Sequence, residues 1–454
     1  MDAGRHYIII DLKSFYASCE CVMRGLDPMT TALVVADPER GRGTICLAVS
    51  PSLKAKGVRN RCRVYEIPAR FSYIMAEPRM QLYINYAAEI YGIYLRYFSP
   101  DDIFVYSVDE AFIDVTGYLR LYRKTPREIA VFLLHQIEEE LGLPATCGIG
   151  TNLYLAKIAL DITAKHAPDR IGELTEKTFC KTMWRHRPIT DFWRIKRGVQ
   201  RRLHRLGIGD MYGVAHTPLP ILQKAFGIDA VILQDHAWGR EPTTIAEIKA
   251  YKPVSRSISV GQVLLRDYDY DGALLVVREM ADQLAQELLW RHEITDTLNF
   301  YIGYSRHDGI APAPAGGTVR LSEWTHSRTL VTDALVQAYR ATVMHGLPIR
   351  HIFLHAERVR PDQVQEISLF GASFSRERET RRQQAILDLQ DRFGRESIFY
   401  ARDLLDGATT LQRYHQIGGH KRGKDSDTQI QPRKDISAVR RAGGATGGTP
   451  GKGD

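Results

Sequence analysis

An adjacent acidic pair, Asp109 and Glu110, constrains the fold more than any other feature of this sequence. Apolar residues alternate on both sides of the pair: Phe104, Tyr106 and Val108 before it, and Ala111, Ile113 and Val115 after it. This alternation predicts two strands joined by a tight turn. Neighbouring side chains on a flat strand point to opposite faces, so both carboxylates share one face only at or beside such a turn. Carboxylates held there suit Mg²⁺, which prefers oxygen ligands, and solvated acids at a hairpin tip are the alternative.

A third acid follows the first apolar run of the chain. Residues 6–12 are typical of a buried strand that ends in Asp11-Leu12, and a helical pattern begins at Lys13. Asp11 could cap that helix. The functional alternative is a carboxylate that meets Asp109 and Glu110 on an adjacent strand, because the intervening chain is long enough for a subdomain.

Charge and composition point to a polyanionic partner. The 454 residues are enough for two to four domains, and the formal net charge is +8. Residues 181–206 concentrate basic side chains and contain a single acid, Asp191. The six cysteines form neither Cys-x-x-Cys nor a zinc pattern, which favours a reducing cytoplasm. No apolar run has the length of a membrane span, and we expect neither a signal peptide nor a membrane partner.

The basic segment resembles a helix-hairpin-helix over residues 192–208. Such hairpins bind the DNA backbone through N–H groups and basic side chains, without reading sequence. The usual hairpin glycines are replaced by Arg194 and Lys196. The predicted DNA contacts are Arg194, Lys196, Arg197, Arg201 and Arg202. A basic but purely structural surface helix pair is the alternative.

Periodicity gives a coarse outline of the remaining chain. Strands are predicted at 32–36, 44–49 and 145–150, and helices at 52–57, 78–98, 126–141, 152–165 and, with short elements, 170–240. Residues 241–252 are expected to form a linker, followed by a compact α+β domain. A helical segment is predicted over 376–405, and the glycine-rich, charged chain from residue 418 is predicted to be disordered.

Two acidic motifs in order identify a family. Asp11-Leu12-Lys13-Ser14-Phe15-Tyr16-Ala17-Ser18, combined with Tyr106-Ser107-Val108-Asp109-Glu110-Ala111-Phe112, resembles the Y-family translesion DNA polymerases. The closer likeness is to the UmuC-like branch of Gram-positive bacteria and their mobile elements. Gly25-Leu26-Asp27-Pro28, Ala48-Val49-Ser50-Pro51 and Gln416-Ile417-Gly418-Gly419-His420 also resemble that branch. The resemblance covers roughly residues 5–420.

The resemblance implies an α+β multidomain fold, a right-hand polymerase. Its palm combines a mixed sheet with helices, its fingers are small, its helical thumb contains the helix-hairpin-helix, and its little finger is α+β. The implied boundaries are palm 1–24 and 76–166, fingers 25–75, thumb 167–240, linker 241–252, little finger 253–360, a helical C-terminal region 361–417 and a basic tail 418–454.

The implied activity is low-fidelity, DNA-directed DNA synthesis past damage, without proofreading. Asp11, Asp109 and Glu110 would ligate two Mg²⁺ ions, together with the backbone carbonyl of Leu12, and Mn²⁺ is the expected substitute. Two metals about 3.5–4 Å apart clamp the attacking and leaving oxygens of an in-line displacement. The implied partners are primer–template DNA and deoxynucleoside triphosphates.

The same resemblance assigns a nucleotide pocket. Tyr16 matches the steric gate, a ring that leaves no room for a 2′-OH, and Phe15 would help to shape the pocket. Lys165 matches a lysine that contacts the triphosphate, with Lys157 as the alternative if the helix register differs. Lys54 departs from the arginine of many relatives; it keeps the charge but loses the bidentate fork.

A short apolar motif near the end of the second domain implies a further partner. Gln365-Glu366-Ile367-Ser368-Leu369-Phe370 resembles the sequence by which bacterial polymerases dock on the sliding clamp, with Gln365, Ile367, Leu369 and Phe370 as the contacts. A terminal strand packed on the little finger is the alternative. Damage-response accessory proteins and induction by DNA damage are further family-level expectations.

Two other functions compete with a polymerase. A nucleotide cyclase would use the same metal chemistry, but the sequence lacks a Gly-Gly-acid motif and carries a basic thumb. A non-catalytic repair protein that binds DNA or the clamp would have a decayed site, whereas Asp11, Asp109 and Glu110 are all present.

Overall fold

The computed structural model describes residues 4–254, 256–306, 312–362, 372–424, 426 and 430. The chain folds into two compact units. The first unit contains Met1–Tyr251 and Lys421–Asp454, and the second contains Lys252–His420. The candidate clamp motif, with Gln365, Ile367, Leu369 and Phe370, lies outside the described residues.

The first unit combines sheets and helices before its all-helical end. Its elements up to residue 251 are β1 Tyr7–Leu12, α1 Phe15–Met23, β2 Leu33–Val35, β3 Ala48–Val49, α2 Pro51–Ala55, β4 Ile74–Ala76, α3 Met80–Leu95, β5 Ile103–Val105, β6 Glu110–Asp114, α4 Tyr118–Tyr122, α5 Pro126–Leu141, β7 Ala145–Gly150, α6 Leu153–Ile158, β8 Ile171–Leu174, α7 Glu176–Thr182, α8 Arg197–Arg205, α9 Met211–His216, α10 Leu219–Phe226, α11 Asp229–Ala237 and α12 Ile245–Ala250. The central sheet has the order β5-β6-β1-β7-β8, antiparallel except for β7 and β8.

Alternation along β1 divides its side chains between the two faces of this sheet. Ile8 and Ile10 belong to the core that includes helices α1, α3 and α5. Tyr7 and Ile9 belong to a second cluster, with residues of α6, on the other side. Asp11 continues the series of Tyr7 and Ile9, so the strand directs it to the α6 face.

A small subdomain interrupts the central fold between α1 and α3. Its sheet has the order β3-β2-β4, and α2 begins at Pro51, which is suited to a first helical turn. Val34, Val49 and Leu53 are fully buried in its own hydrophobic core. The strands are shorter than predicted, because only Leu33–Val35 and Ala48–Val49 make ladder contacts.

Two parts of the helical outline are corrected. The sequence predicts helices over 170–240, but Ile171–Leu174 is strand β8, parallel to β7. Gly172 permits this because a Cβ there would lie 2.4 Å from the carbonyl oxygen of Ala159. The predicted linker 241–252 contains helix α12, whose Ile245 is 2% exposed in the α6-side core. Ile245 and the partly buried Ile248 therefore form the inner face of this helix.

The second unit is an α+β domain with an open-faced sheet. Its elements are β9 Ile258–Tyr268, α13 Tyr270–Trp290, β10 Glu293–Tyr304, β11 Ala315–Thr325, α14 Arg328–Thr342, β12 Ile349–Glu357, β13 Arg360–Pro361, α15 Ala372–Phe393, α16 Thr410–Tyr414 and β14 Gln416–Ile417. Strand β15, His420–Lys421, contains the last residue of this unit and the first residue of the returning segment of the other. The sheet order is β11-β10-β12-β9, all antiparallel. Helices α13 and α14 pack together and cover its apolar face. Exposed Val263 and Tyr301 lie on strands of this sheet.

The predicted disorder from residue 418 is wrong for the first part of that segment. The nitrogen Nζ of Lys421 lies 2.8 Å from Glu39, 3.5 Å from Glu77 and 3.6 Å from Asp37. The backbone N–H of Gln81 donates to the carbonyl of Arg422. These acids lie far from residue 418 in sequence, so the periodicity of apolar residues could not predict that the chain around Lys421 is ordered against them.

Two sequence expectations about cysteines and membrane spans can be compared with the structure. No helix in the described part of the chain has both the length and the apolar character needed to cross a bilayer. The six cysteines are free thiols, five of them buried. They therefore act as small apolar core residues.

Candidate active site

The register of two central strands brings the predicted acids together. Asp11 on β1 lies directly opposite Glu110 on β6, and opposed residues of an antiparallel pair share one face. The backbone N–H of Leu12 donates to the carbonyl of Asp109 at 3.1 Å, which holds the turn against the end of β1. The tight turn between β5 and β6 is as predicted. Asp11, Asp109 and Glu110, the acid cluster, thus occupy one end of the central sheet.

Burial and mutual repulsion control the charge of this cluster. Burial, with the nearby charges of Glu110 and Asp109, raises the pKa of Asp11 to about 8. Burial also raises the pKa of Glu110. Carboxylates that repel one another in a buried place are stabilised by a divalent cation, and oxygen donors are the ligands that Mg²⁺ prefers. The donor set therefore fits the predicted metal.

Two of the carboxylates are bound by protein groups. Ser107 Oγ donates to Asp109 Oδ1 at 2.7 Å. Lys157 Nζ donates to both oxygens of Glu110, at 3.0 and 2.8 Å. Among the described residues, no three His, Cys, Asp or Glu side chains stand in an arrangement that holds a metal ion. Metal ligation by the acid cluster and the Leu12 carbonyl accordingly stays a prediction.

The contact between Lys157 and Glu110 was not predicted from the sequence. Helix α6 starts at its cap Asn152, whose Oδ1 accepts a hydrogen bond from the Leu155 N–H. The helix then lies directly on β7, because a Cβ on Gly150 would be 2.2 Å from the backbone nitrogen of Ala156. Gly148 and Gly150, one strand repeat apart, were the available signal for this close packing.

The predicted sugar-pocket residues lie on the first turn of α1. Phe15 is 3% exposed, and its ring centroid is 5.7 Å from that of Tyr16. The Tyr16 ring stacks on Tyr83 at 4.3 Å. Burial raises the pKa of Tyr16, and the charge of Asp109 acts in the same direction. Tyr16 is therefore held in one orientation beside the acid cluster.

Lys54 is a basic neighbour of the acid cluster, because the charge of Asp11 acts on it. Lys54 on α2 donates from Nζ to Ser14 Oγ at 2.8 Å. Burial lowers the pKa of Lys54, Asp11 opposes that change, and the positive charges of Lys13 and Lys165 reinforce it. Lys165, on a short 3₁₀ turn after α6, is thus an electrostatic neighbour of Lys54. The charges of the two predicted triphosphate residues interact although the residues lie 111 positions apart (165 − 54).

In the basic hairpin, a non-glycine residue adopts the left-handed backbone conformation that glycine usually provides. Arg194 has a φ of 68°, in the left-handed region that glycine adopts without strain. All the predicted DNA contacts are exposed, namely Arg194, Lys196, Arg197, Arg201 and Arg202. Arg202 also donates to the carbonyl of Ala225 and lies 4.6 Å from the Phe226 ring centroid, so part of its role is structural.

Comparisons with known proteins identify this arrangement. The chain matches the model of the impB/mucB/samB family over residues 10–161 and that of the family's C-terminal domain over residues 255–369. A Bacillus subtilis protein named "Putative UV-damage repair protein UvrX" is 30% identical over 92% of this chain and 98% of its own length. A B. subtilis "DNA polymerase IV 2" is 31% identical, with 91% and 98% covered. A solved "Y-family DNA polymerase chimera" aligns with a TM-score of 0.62 at 18% identity, over 78% of this chain and 99% of that one.

The fold is that of a right-hand polymerase and is consistent with palm, thumb and little-finger domains. Because relatives at least 30% identical match nearly its whole length, the chain belongs to the impB/mucB/samB family, within the Y-family of translesion DNA polymerases. The first unit contains the central sheet and the helical thumb, and the second contains the α+β little finger.

Proposed function

We propose that the protein is a DNA-directed DNA polymerase that transfers deoxynucleotides to a primer 3′-OH and copies damaged templates with low fidelity. The observation that carries this proposal is the register of Asp11 opposite Glu110, with Asp109 held beside them. A partly buried cluster of three acids with one cationic partner, Lys157, has little structural use, because like charges held close together destabilise a fold. It is the arrangement expected of a metal-dependent phosphoryl-transfer site.

Three carboxylates and one backbone carbonyl would hold the cations. Asp11, Asp109 and Glu110 supply side-chain oxygens, and Leu12 supplies its carbonyl. When bound, two Mg²⁺ ions lower the pKa of the primer 3′-OH and neutralise charge on the departing pyrophosphate. The palm sheet fixes the acids in advance, so the chain's own contribution is to position and orient the reacting groups. Mn²⁺ would substitute as another divalent cation with oxygen ligands.

The stacked ring of Tyr16 supports its proposed role as a steric gate. Its neighbours Phe15 and Tyr83 prevent the ring from moving aside. A 2′-OH on the incoming sugar would meet this ring, whereas a deoxyribose would fit. Selection thus comes from repulsion of the wrong substrate.

Lys54 and Lys165 are proposed to bind the triphosphate. The negative charge of Asp11 in the acid cluster and the positive charge of Lys165 both act on Lys54, and the exposed Lys54 side chain is open to a ligand. A compact ammonium group suits a single phosphate oxygen, so these lysines would act as point charges and would not form the bidentate hydrogen bonds of an arginine. Their contacts should tighten when the triphosphate replaces water.

Primer–template DNA would be held by the thumb. The exposed arginines around α8 can neutralise backbone phosphates without reading bases. The sliding clamp, through Gln365, Ile367, Leu369 and Phe370, and damage-response accessory proteins are further proposed partners. A non-catalytic DNA- or clamp-binding protein is not favoured, because all three acids remain in place.

Primer extension tests the proposed function. Full-length wild type and Asp109→Ala are compared on an undamaged template and on one with an abasic site, with Mg²⁺ and each nucleotide in turn. We expect distributive addition of deoxynucleotides by wild type on both templates, and none by Asp109→Ala. Failure of wild type to extend while it still binds DNA would contradict the proposal, as would extension that survives Asp109→Ala.

A further inference from the structure

The side chain of Lys157 ends between two carboxylates at the acid cluster. Its Nζ contacts both oxygens of Glu110, at 3.0 and 2.8 Å, and Oδ1 of Asp161 at 3.1 Å. The Lys157 side chain is 6% exposed, so water screens these contacts little. Asp161 lies four residues further along the chain, on the π-helical turn that continues α6.

The backbone of Lys157 has no room to move away from the cluster. Gly148 and Gly150 allow α6 to lie against β7, and a Cβ on either would come within 2.2 Å of the backbone of Ala156, the neighbour of Lys157. Ala156 itself is fully buried. Any change in the contacts of Lys157 must therefore come from its flexible side chain alone.

A divalent cation and Lys157 compete for the same oxygens. Glu110 is a proposed metal ligand, yet both of its carboxylate oxygens accept hydrogen bonds from Lys157. A cation that binds Glu110 must displace the ammonium group, since two positive groups at one carboxylate repel each other. Asp161, already in contact, gives Lys157 a partner to keep after this displacement.

We propose that Lys157 is a positioning residue that serves as a built-in counterion for Glu110 and passes to Asp161 when a divalent cation binds. The inference rests on the proposed function, because it assumes that Glu110 ligates the cation. Before binding, Lys157 holds the Glu110 carboxylate in place and limits repulsion within the acid cluster. After binding, Asp161 prevents the buried ammonium group from remaining unpaired.

Binding of Mn²⁺ alone, measured by calorimetry on the full-length protein without DNA or nucleotide, tests this exchange. Lys157→Met should bind Mn²⁺ about tenfold tighter than wild type or more, because the competing charge is gone. Asp161→Asn should bind more weakly, because Lys157 then has only Glu110. Lys249→Met removes an equal charge from an exposed side chain of α12 whose hydrogen-bond partner is the Pro100 carbonyl, outside the acid cluster, and should match wild type in Mn²⁺ affinity.

Thermal unfolding gives a readout that does not depend on activity. In EDTA, Lys157→Met should unfold at a lower temperature than Lys249→Met, because Glu110 and Asp161 lose their buried partner. Saturating Mn²⁺ should raise its unfolding temperature by more than it raises that of wild type. Equal Mn²⁺-induced shifts in Lys157→Met and Lys249→Met would overturn the exchange.

Two outcomes separate the inference from the proposed function. If wild type fails to bind Mn²⁺, both the proposed metal site and the proposed movement of Lys157 from Glu110 to Asp161 are wrong. If wild type binds Mn²⁺ with an affinity that neither Lys157→Met nor Asp161→Asn changes, only the exchange is wrong. A crystal structure with Mn²⁺ on the acid cluster should show Nζ of Lys157 on Asp161 alone, and a retained contact with both Glu110 oxygens would contradict it.

Discussion

The acid cluster of the palm and the basic hairpin of the thumb differ in the solvent exposure of their charged side chains. Burial raises the pKa of both Asp11 and Glu110, and Lys157 is buried against Glu110. In the thumb, Lys196, Arg201 and the other predicted DNA contacts are exposed. Buried charges depend on each neighbour, whereas exposed charges act largely by their number. Single changes in the palm should therefore have large, specific effects, and single changes in the thumb small, additive ones.

Outside the acid cluster, the sugar pocket gives the largest expected effect. Tyr16→Ala removes the ring that excludes a 2′-OH, so discrimination against ribonucleotides should fall by about 100-fold. The ratio of kcat/KM values for a deoxynucleotide and its ribonucleotide measures this. Tyr16→Phe keeps the ring and should retain the discrimination. Unchanged discrimination in Tyr16→Ala would place the gate elsewhere.

The buried acid at the sheet end gives a pH-dependent effect on stability. The pKa of Asp11 is raised from an ordinary 3.8 to about 8, so the unfolded state loses its proton at lower pH than the folded state does. The metal-free protein should consequently lose stability as pH rises from about 4 to 8. In EDTA, Asp11→Asn should be more stable than wild type at pH 8 by about 2 kcal/mol, with the margin vanishing near pH 4.

Urea unfolding at several pH values measures that margin. Asp101→Asn, a change at an exposed acid in the same unit, serves as the control and should show no such pH dependence. An advantage of Asp11→Asn that is the same at pH 4 and pH 8 would show that ionisation of Asp11 is not its cause.

One exposed thumb arginine should account for a single phosphate contact. Arg201→Ala should weaken DNA binding uniformly across sequences and reduce the slope of log K against log salt by about 1. Arg120→Ala, on the exposed surface of α4, is the matched control and should leave the slope unchanged. Fluorescence anisotropy over a salt series measures both. Equal slopes for wild type and Arg201→Ala would remove Arg201 from the DNA-binding surface.

The hairpin backbone gives the smallest expected effect. Arg194 has a φ of 68°, so Arg194→Gly should relieve strain and raise the free energy of unfolding by about 0.5–1 kcal/mol. The same change removes one exposed charge and should weaken DNA binding only slightly. A loss of stability in Arg194→Gly, measured by urea unfolding, would mean that the arginine side chain supports the thumb.

The sequence could predict features set by local pattern, and it missed features set by distant contacts. The strand ending at Asp11 and the turn at Asp109 follow from alternation of apolar residues, and both predictions are confirmed. The hydrogen bonds from Lys157 to Glu110 depend on how closely α6 packs on Gly150. The periodicity of apolar residues does not reveal this distance. The return of Lys421 to Glu39 likewise joins residues from opposite ends of the chain.

The roles of the individual thumb residues remain predictions for a related reason. Exposure and charge show that Arg197 and Arg201 can reach phosphates. Neither property distinguishes a DNA contact from an ordinary solvated arginine. In the palm, by contrast, burial of several acids together already requires an explanation.

Single-turnover incorporation, measured beside DNA affinity for Asp109→Ala and Arg201→Ala over a range of salt, tests the contrast between palm and thumb most directly. We predict that Asp109→Ala abolishes incorporation at every salt concentration while DNA affinity stays near that of wild type. Arg201→Ala should keep the incorporation rate at saturating DNA, and its loss of DNA affinity relative to wild type should be larger at low salt than at high salt. An Asp109→Ala variant that incorporates nucleotides at the wild-type rate would contradict the assignment of the chemistry to the acid cluster.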